Sequence, residues 1–236
     1  NVPAARAFFA QKNGEQSMSK AILIDTTRCT ACRGCQVGCK QWHNLPANRT
    51  YQMGTHQNPP DLNPFNFKLV RFNEHEQKDG TVVWNFFPDQ CRHCVTPICK
   101  DVADMAVPGA IIQQPETGIV LFTEKTALLS PEDVKAVTDA CPYNIPRYNP
   151  QTRLLVKCDM CVDRVNAGLP PICVQTCPTG CMVFGNREEI LDLARKRLDY
   201  ARQRHPKAFL CDAEDVNVIF LLAEDKKYYY KYASFA

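Results

Sequence analysis

The chain has 236 residues with 28 Lys and Arg against 25 Asp and Glu; a net charge of +3 is too small to mark a polyanion-binding protein, so no nucleic-acid partner is expected. Its 45% apolar fraction includes 14 cysteines, and without them it falls to about 39%, which is low for an aliphatic core, so something besides packing helps to hold the fold. The uncharged apolar run Val216 to Ala223 is far shorter than the about twenty residues of a membrane-spanning helix, which argues against a span.

Residues 1–17 read as an N-terminal extension or as what remains after processing, because Met18-Ser19-Lys20 looks like a natural start and the segment lacks the charged start and apolar stretch of a signal peptide. Ala21 to Asp25 is a predicted strand that runs into Cys29, Cys32, Cys35 and Cys39. From Asn44 to Phe67 the density of Pro and Asn forbids regular structure and predicts a long ordered excursion of the kind that touches a partner. Lys68 to Asn73 and Thr81 to Phe87 form a predicted hairpin with Asp79-Gly80 in its turn, followed by Cys91, Cys94 and Cys99.

Ala110 to Gln114 and Ile119 to Thr123 flank Pro115-Glu116-Thr117-Gly118 as a second hairpin. Ser130-Pro131-Glu132-Asp133 has the pattern of a helix start leading to Cys141-Pro142. After Cys158, Cys161, Cys173 and Cys177-Pro178 comes the one long predicted helix, Asn186 to Gln203, with Asn186 as its cap and Ile190, Leu191, Leu193, Ala194 and Leu198 at helical spacing. Val216 to Leu222 reads as a buried strand closing the chain. Short elements around cysteine loops predict an α+β architecture with internal repetition.

Disulfide scaffolds give no repeated C-x2-C spacing, and zinc takes its four ligands as two separated pairs. Cys29-x2-Cys32-x2-Cys35-x3-Cys39 is instead the bacterial ferredoxin spacing, in which three cysteines hold one cubane and the fourth reaches a second. Thiolates suit that role because cubane iron needs soft anionic donors. Lys40 stands where the ferredoxin run usually has Pro.

Cys158-x2-Cys161-x11-Cys173-x3-Cys177-Pro178 supplies the reciprocal run. Exchange gives two [4Fe-4S] clusters, one on Cys29, Cys32, Cys35 and Cys177, the other on Cys39, Cys158, Cys161 and Cys173. Cys91-x2-Cys94-x4-Cys99 lacks a nearby fourth ligand, and Cys141 completes it. Twelve cysteines thus predict three [4Fe-4S] clusters and leave Cys181 and Cys211 as lone buried thiols.

With Cys-Thr-Ala-Cys-Arg-Gly-Cys-Gln (29–36), His56-Gln57-Asn58-Pro59-Pro60-Asp61, Cys91-Arg92-His93-Cys94, Cys141-Pro142-Tyr143, Lys157-Cys158-Asp159-Met160-Cys161 and Cys177-Pro178-Thr179-Gly180, residues 18 to 236 resemble the four-cluster electron-transfer subunits of molybdopterin oxidoreductases. Within that family the chain is most similar to the iron–sulfur (beta) subunit of soluble tungsten- or molybdenum-dependent formate dehydrogenases. The resemblance implies sixteen ligands, of which four are replaced here by Ala103, Pro131, Val134 and Val137. All four belong to one cluster, so the pattern reads as deletion of a single site refilled by aliphatic packing.

Lys40, Arg92, His93, Arg147, Lys157 and Arg164 lie beside ligands and either tune potentials or balance charge, since three oxidised cubanes at about −2 each would take +3 to about −3. His56 reads as a loop fixture, and Trp42, Trp84 and Tyr228-Tyr229-Tyr230 as packing or interface residues. No phosphate loop, nucleophile elbow or zinc-protease helix is present, so no catalytic residue is assigned.

The expected fold is two interleaved bacterial ferredoxin-like modules with inserted hairpins. Residues 18–66 and 151–185 would hold two clusters, 67–150 one, and 186–236 a C-terminal helix and strand. The resemblance implies an electron-transfer subunit in a periplasmic heterodimer, exported with a large W- or Mo-pterin catalytic subunit and passing electrons to a soluble carrier such as a multihaem cytochrome c. A cytoplasmic complex, the small subunit of a transhydroxylase or sulfur-compound reductase, and a free-standing polyferredoxin stay open as alternatives.

Overall fold

Ala21-Ile22-Leu23-Ile24 is an uninterrupted apolar run, and the computed structural model, which describes residues 19–235, buries it completely. The expected extension 1–17 lies outside the described residues. In chain order the elements are β1 (Lys20–Asp25), α1 (Gly34–Trp42), β2 (Leu69–Glu76), β3 (Val82–Asp89), α2 (Ile98–Ala106), β4 (Ile111–Gln113), β5 (Val120–Phe122) and α3 (Pro131–Asp139). They continue with β6 (Arg147–Asn149), β7 (Leu154–Val156), α4 (Val162–Asn166), α5 (Ile172–Gln175), β8 (Met182–Asn186), α6 (Arg187–Arg202), β9 (Phe209–Cys211) and β10 (Val218–Leu222). The class is α+β.

Four strands form one sheet in the order β8-β1-β10-β9, with β1 parallel to β10 and the outer pairs antiparallel. Because strand side chains alternate faces, Ile22, Ile24, Val218, Phe220 and Leu222 point into one core with Val70, Phe87 and Met160. Ala21, Leu23, Ile219 and Leu221 point into another with Ile190, Leu191 and Ala194 of α6. The predicted strand at the end of the chain is therefore a central one. It starts at Val218, and residues beyond it fold back: the Tyr229 hydroxyl accepts from the Ala223 N–H at 3.1 Å, and the Arg71 guanidinium lies 3.4 Å over the Tyr230 ring.

Both predicted hairpins form, β2–β3 in register from Leu69↔Asp89 to Glu76↔Val82, and β4–β5. Ser130 and Asp133 make the full capping box of α3, with Pro131 at its first position. Asn186 does occupy the N-cap of α6, but its side chain does not cap the helix: Oδ1 accepts from Lys20 Nζ at 2.6 Å, tying β8 to β1. The excursion 44–67 lacks helices and paired strands of its own. It is pinned by Asp61, whose carboxylate receives Arg71 Nη2 at 2.5 Å and Arg147 Nη2 at 2.9 Å, and by Gln36, which donates to Asn58 O at 2.8 Å.

Candidate metal centres

The leading C-x2-C pair of each of the three cysteine runs folds the same way. The residue two positions after the first cysteine is left-handed in all three, Ala31 at φ 53°, His93 at 47° and Met160 at 57°. That twist turns its N–H back on the cysteine: His93 N lies 3.3 Å from Cys91 Sγ and Met160 N 3.4 Å from Cys158 Sγ, and the Ala31 N–H donates to Cys29. Backbone donors aimed at sulfur favour thiolate, and the curl leaves both sulfurs of each pair on the inside of the loop.

Helices carry Cys35, Cys39, Cys99 and Cys173, and Cys141 and Cys177 lie just past the ends of α3 and α5. Cys35 and Cys39 are one turn apart on α1, and Cys173 sits on α5 with Cys177 just beyond it. The two helices approach closely because α1 offers Gly34 and Gly38 at the contact; a Cβ on Gly34 would lie 3.2 Å from Thr176 O.

The thiols fall into three neighbourhoods. Cys29, Cys35 and Cys177 face one another, with Cys32, the one exposed cysteine among the described residues, on the same loop. Cys39, Cys158, Cys161 and Cys173 face one another. So do Cys91, Cys94, Cys99 and Cys141, which together line one pocket. The neighbourhoods adjoin in series: the charge of Cys173 in the second acts on Cys35 in the first, and that of Cys91 in the third acts on Cys158 in the second.

Burial, reinforced by the neighbouring thiolates, pushes Cys35, Cys94, Cys99 and Cys161 up to about 12 and Cys39 and Cys158 well above the usual thiol range. Four thiolates at one buried spot therefore require a cationic centre among them. Soft sulfur donors alone fit an iron–sulfide core. Buried donors point the same way: Gln90 Nε2 and Arg92 Nε, on either side of Cys91, have no acceptor among the described residues, as N–H groups suited to cluster sulfur would.

Cys181 and Cys211 are buried, but Cys181 does not stand alone. Its thiol hydrogen-bonds Cys29 and Cys177 and lowers the pKa of both. The four replaced positions behave as one packing unit with an exception: Ala103 and Val137 are wholly buried, Val134 packs against them, and Pro131 is exposed at the start of α3.

The basic candidates divide. Lys40 donates to Phe65 O at 2.8 Å and Asn48 Oδ1 at 3.1 Å, Arg147 to Leu62 O at 2.8 Å, and Arg164 to Pro170 O at 2.8 Å, so these three hold loops. Arg92 and Lys157 are buried beside the third neighbourhood and partly offset the upward shift that burial imposes on Cys94 and Cys99 respectively. His93 is buried neutral, its Nδ1 accepting from Val120 N at 3.1 Å. His56 stacks near Trp84, at 5.4 Å between centroids, and its carbonyl accepts from Arg33. Trp42 donates to Asp163 Oδ2 at 3.0 Å.

Two residues carry no motif and were missed by spacing. His43, one turn after Cys39, places Nε2 3.6 Å from Cys161 Sγ and 3.4 Å from Asp159 Oδ1. Lys68 is buried between the first and second neighbourhoods. A lysine on the core face of a predicted strand, in phase with Val70, was the available signal.

The family described as "4Fe-4S dicluster domain" matches residues 82–187. "Formate dehydrogenase 2 subunit beta (cytochrome c-553)" of Nitratidesulfovibrio vulgaris is 68% identical over 92% of this chain and 100% of its own length. The chain belongs to the iron–sulfur subunits of formate dehydrogenases. The beta subunit of Megalodesulfovibrio gigas is 53% identical over 92% of this chain and 99% of its own, and the nitrate-inducible iron–sulfur subunit of Escherichia coli K12 is 38% identical over 78% and 60%. This iron–sulfur subunit is an electron-transfer protein, and among its described residues no helix is long and apolar enough to cross a membrane.

Proposed function

We propose that this subunit holds three [4Fe-4S] clusters and conducts electrons along them between a W- or Mo-pterin catalytic subunit that interconverts formate and carbon dioxide and a soluble cytochrome. The observation that carries the reading is the division of twelve cysteines into three neighbourhoods joined in series. Cys29, Cys32, Cys35 and Cys177 would hold the first cluster, Cys39, Cys158, Cys161 and Cys173 the second, and Cys91, Cys94, Cys99 and Cys141 the third. Bound cubanes would supply one-electron carriers at potentials set by their surroundings.

The chain's own residues supply the rest. Cys32 brings the first site to the surface, which suits electron entry from the catalytic partner. At the other end, Cys94, Ile98, Pro142 and Phe235 line a shallow, largely apolar pocket of the kind a transient redox partner covers. Lys100 and Asp104 pair at 2.5 Å beside Asp101, a charged rim for steering a carrier. The name of the Nitratidesulfovibrio vulgaris relative includes a cytochrome. The same reading assigns 18–66 with 151–185 to a two-cluster module, 67–150 to a one-cluster module interleaved with it, 186–236 to the helix and strand that complete it, and the heterodimer to the periplasm.

Iron and acid-labile sulfide should each come to about twelve per chain. Cys141→Ser should remove one cluster signal, leave formate-dependent reduction of the first cluster intact and abolish cytochrome reduction. Sixteen iron per chain, stoichiometric zinc, or undiminished cytochrome reduction in that variant would overturn the reading.

A further inference from the structure

Lys68 immediately precedes β2, in phase with Val70, and strand alternation turns it into the core. Only 2% of the residue is exposed. Its Nζ donates to Pro88 O at 3.2 Å and to Gln90 Oε1, both neutral acceptors, and no carboxylate pairs with it among the described residues. A buried ammonium without a counter-anion ordinarily loses its proton. Here burial pulls the pKa down and the charge that Cys173, Cys35, Cys158 and Cys39 carry as thiolates pushes it up, and Cys35 and Cys173 share with Val70 the core that Lys68 faces. The same ammonium lowers Cys29.

Those thiols come from two sites. Cys29 and Cys35 belong to the first and Cys39, Cys158 and Cys173 to the second, whereas the third has Arg92 and Lys157. Gln90 closes the geometry: its Oε1 lies 4.0 Å from Cys173 Sγ while it also receives Lys68. The carboxamide oxygen thus holds the ammonium close to a second-site sulfur.

From this placement we infer that Lys68 is a tuning residue shared by the first and second sites, a fixed buried cation that makes both easier to reduce and keeps their potentials in step. The inference rests on the three-cluster reading above. An added electron makes a site more negative, so a nearby permanent cation stabilises the reduced form more than the oxidised one. One cation serving two sites shifts both in the same direction, and the energy step between them stays small.

The experiment is an anaerobic redox titration of the intact complex, monitored by electron paramagnetic resonance, on wild type, Lys68→Met, Lys68→Gln and Lys68→Arg. Three reducible cluster signals in the wild type test the cluster reading on its own. Given those, Lys68→Met and Lys68→Gln should lower the reduced-to-oxidised ratio of the first and second clusters at fixed potential at least tenfold, about 59 mV for one electron. The third should not move, and Lys68→Arg should restore the first two. If the neutral variants load no iron at the first and second sites while Lys68→Arg loads all three, charge-dependent assembly at those two sites supports the same conclusion. Unchanged potentials in fully loaded neutral variants, an equal shift at the third site, or failure of Lys68→Arg to restore would overturn it.

Discussion

A methyl group on Gly38 would sit 3.0 Å from Cγ2 of Thr176 and 3.2 Å from its Oγ1. The threonine cannot swing away freely, because Oγ1 donates to Ile172 O at 3.0 Å. Gly38 therefore sets how near α1 comes to α5, and with it how near Cys35 and Cys39 come to Cys173 and Cys177.

Gly38→Ala should force the helices apart at an overpacking cost of about 1–3 kcal/mol. Iron per chain should fall, with the first and second cluster signals lost and the third kept. Gly38→Ala combined with Thr176→Ala removes both opposing atoms and should recover much of the iron. Loss of all three signals in the single variant would mean that the contact matters for folding at large rather than for these two sites.

His43 makes a long-range contact to a sulfur of the second neighbourhood, 3.6 Å from Cys161 across 118 residues of sequence. Its ring is steadied by Phe67, with centroids 5.7 Å apart. A hydrogen bond to a cluster thiolate withdraws negative charge and raises the potential. His43→Leu should leave iron content unchanged and lower the potential of the second cluster by about 40 mV, the equivalent of one hydrogen bond of ~1 kcal/mol. His43→Gln, which keeps a donor, should fall between the two.

Much of the site was legible because cysteine spacing is a local signal. So was the Ser130-Pro131-Asp133 cap, whose partners lie within one turn. The rest depends on long-range contacts. Gly34 and Gly38 are poor helix formers, and they hide α1, which forms because its face packs on α5. Val218–Leu222 reads as a buried strand, but only the whole fold makes it the parallel neighbour of β1. Asn186 has the right chemistry for a cap and loses that role to Lys20, 166 residues away. Cys181 gave no motif at all, yet the turn after Cys177 delivers it to the sulfurs of Cys29 and Cys177.

The core beneath α2 and α3, with Cys99 at its edge, offers a test of stability. Val137 and Ala103 are wholly buried there, facing Leu129 and Leu155. Val137→Ala removes two carbons and leaves a cavity, which should cost about 2 kcal/mol. Pro131→Ala, at an exposed position, should change stability by no more than about 0.5 kcal/mol. Anaerobic denaturant unfolding with iron analysis checks both; equal effects from the two substitutions would show that the replaced positions do not form a packed unit.

His93 gives the molecule a pH dependence with a definite sign. It is fully buried, and burial first, then the Lys157 ammonium, hold its pKa well below the usual imidazole value of 6.5. Its Nδ1 must stay unprotonated to accept the Val120 N–H. The unfolded chain therefore binds a proton as pH falls through 6.5 while the folded one does not. Stability is fully present above that value and drops below it, with a limiting slope of about 1.4 kcal/mol per pH unit down to the depressed native value. His93→Asn isolates this term, because Asn carries an oxygen near the place of Nδ1, tolerates the left-handed backbone at φ 47° and has no proton to gain. Comparing anaerobic unfolding of the two proteins between pH 7.5 and 5.5, the wild type should lose stability more steeply than the variant, by up to that slope. Parallel curves would mean that His93 is already protonated in the fold.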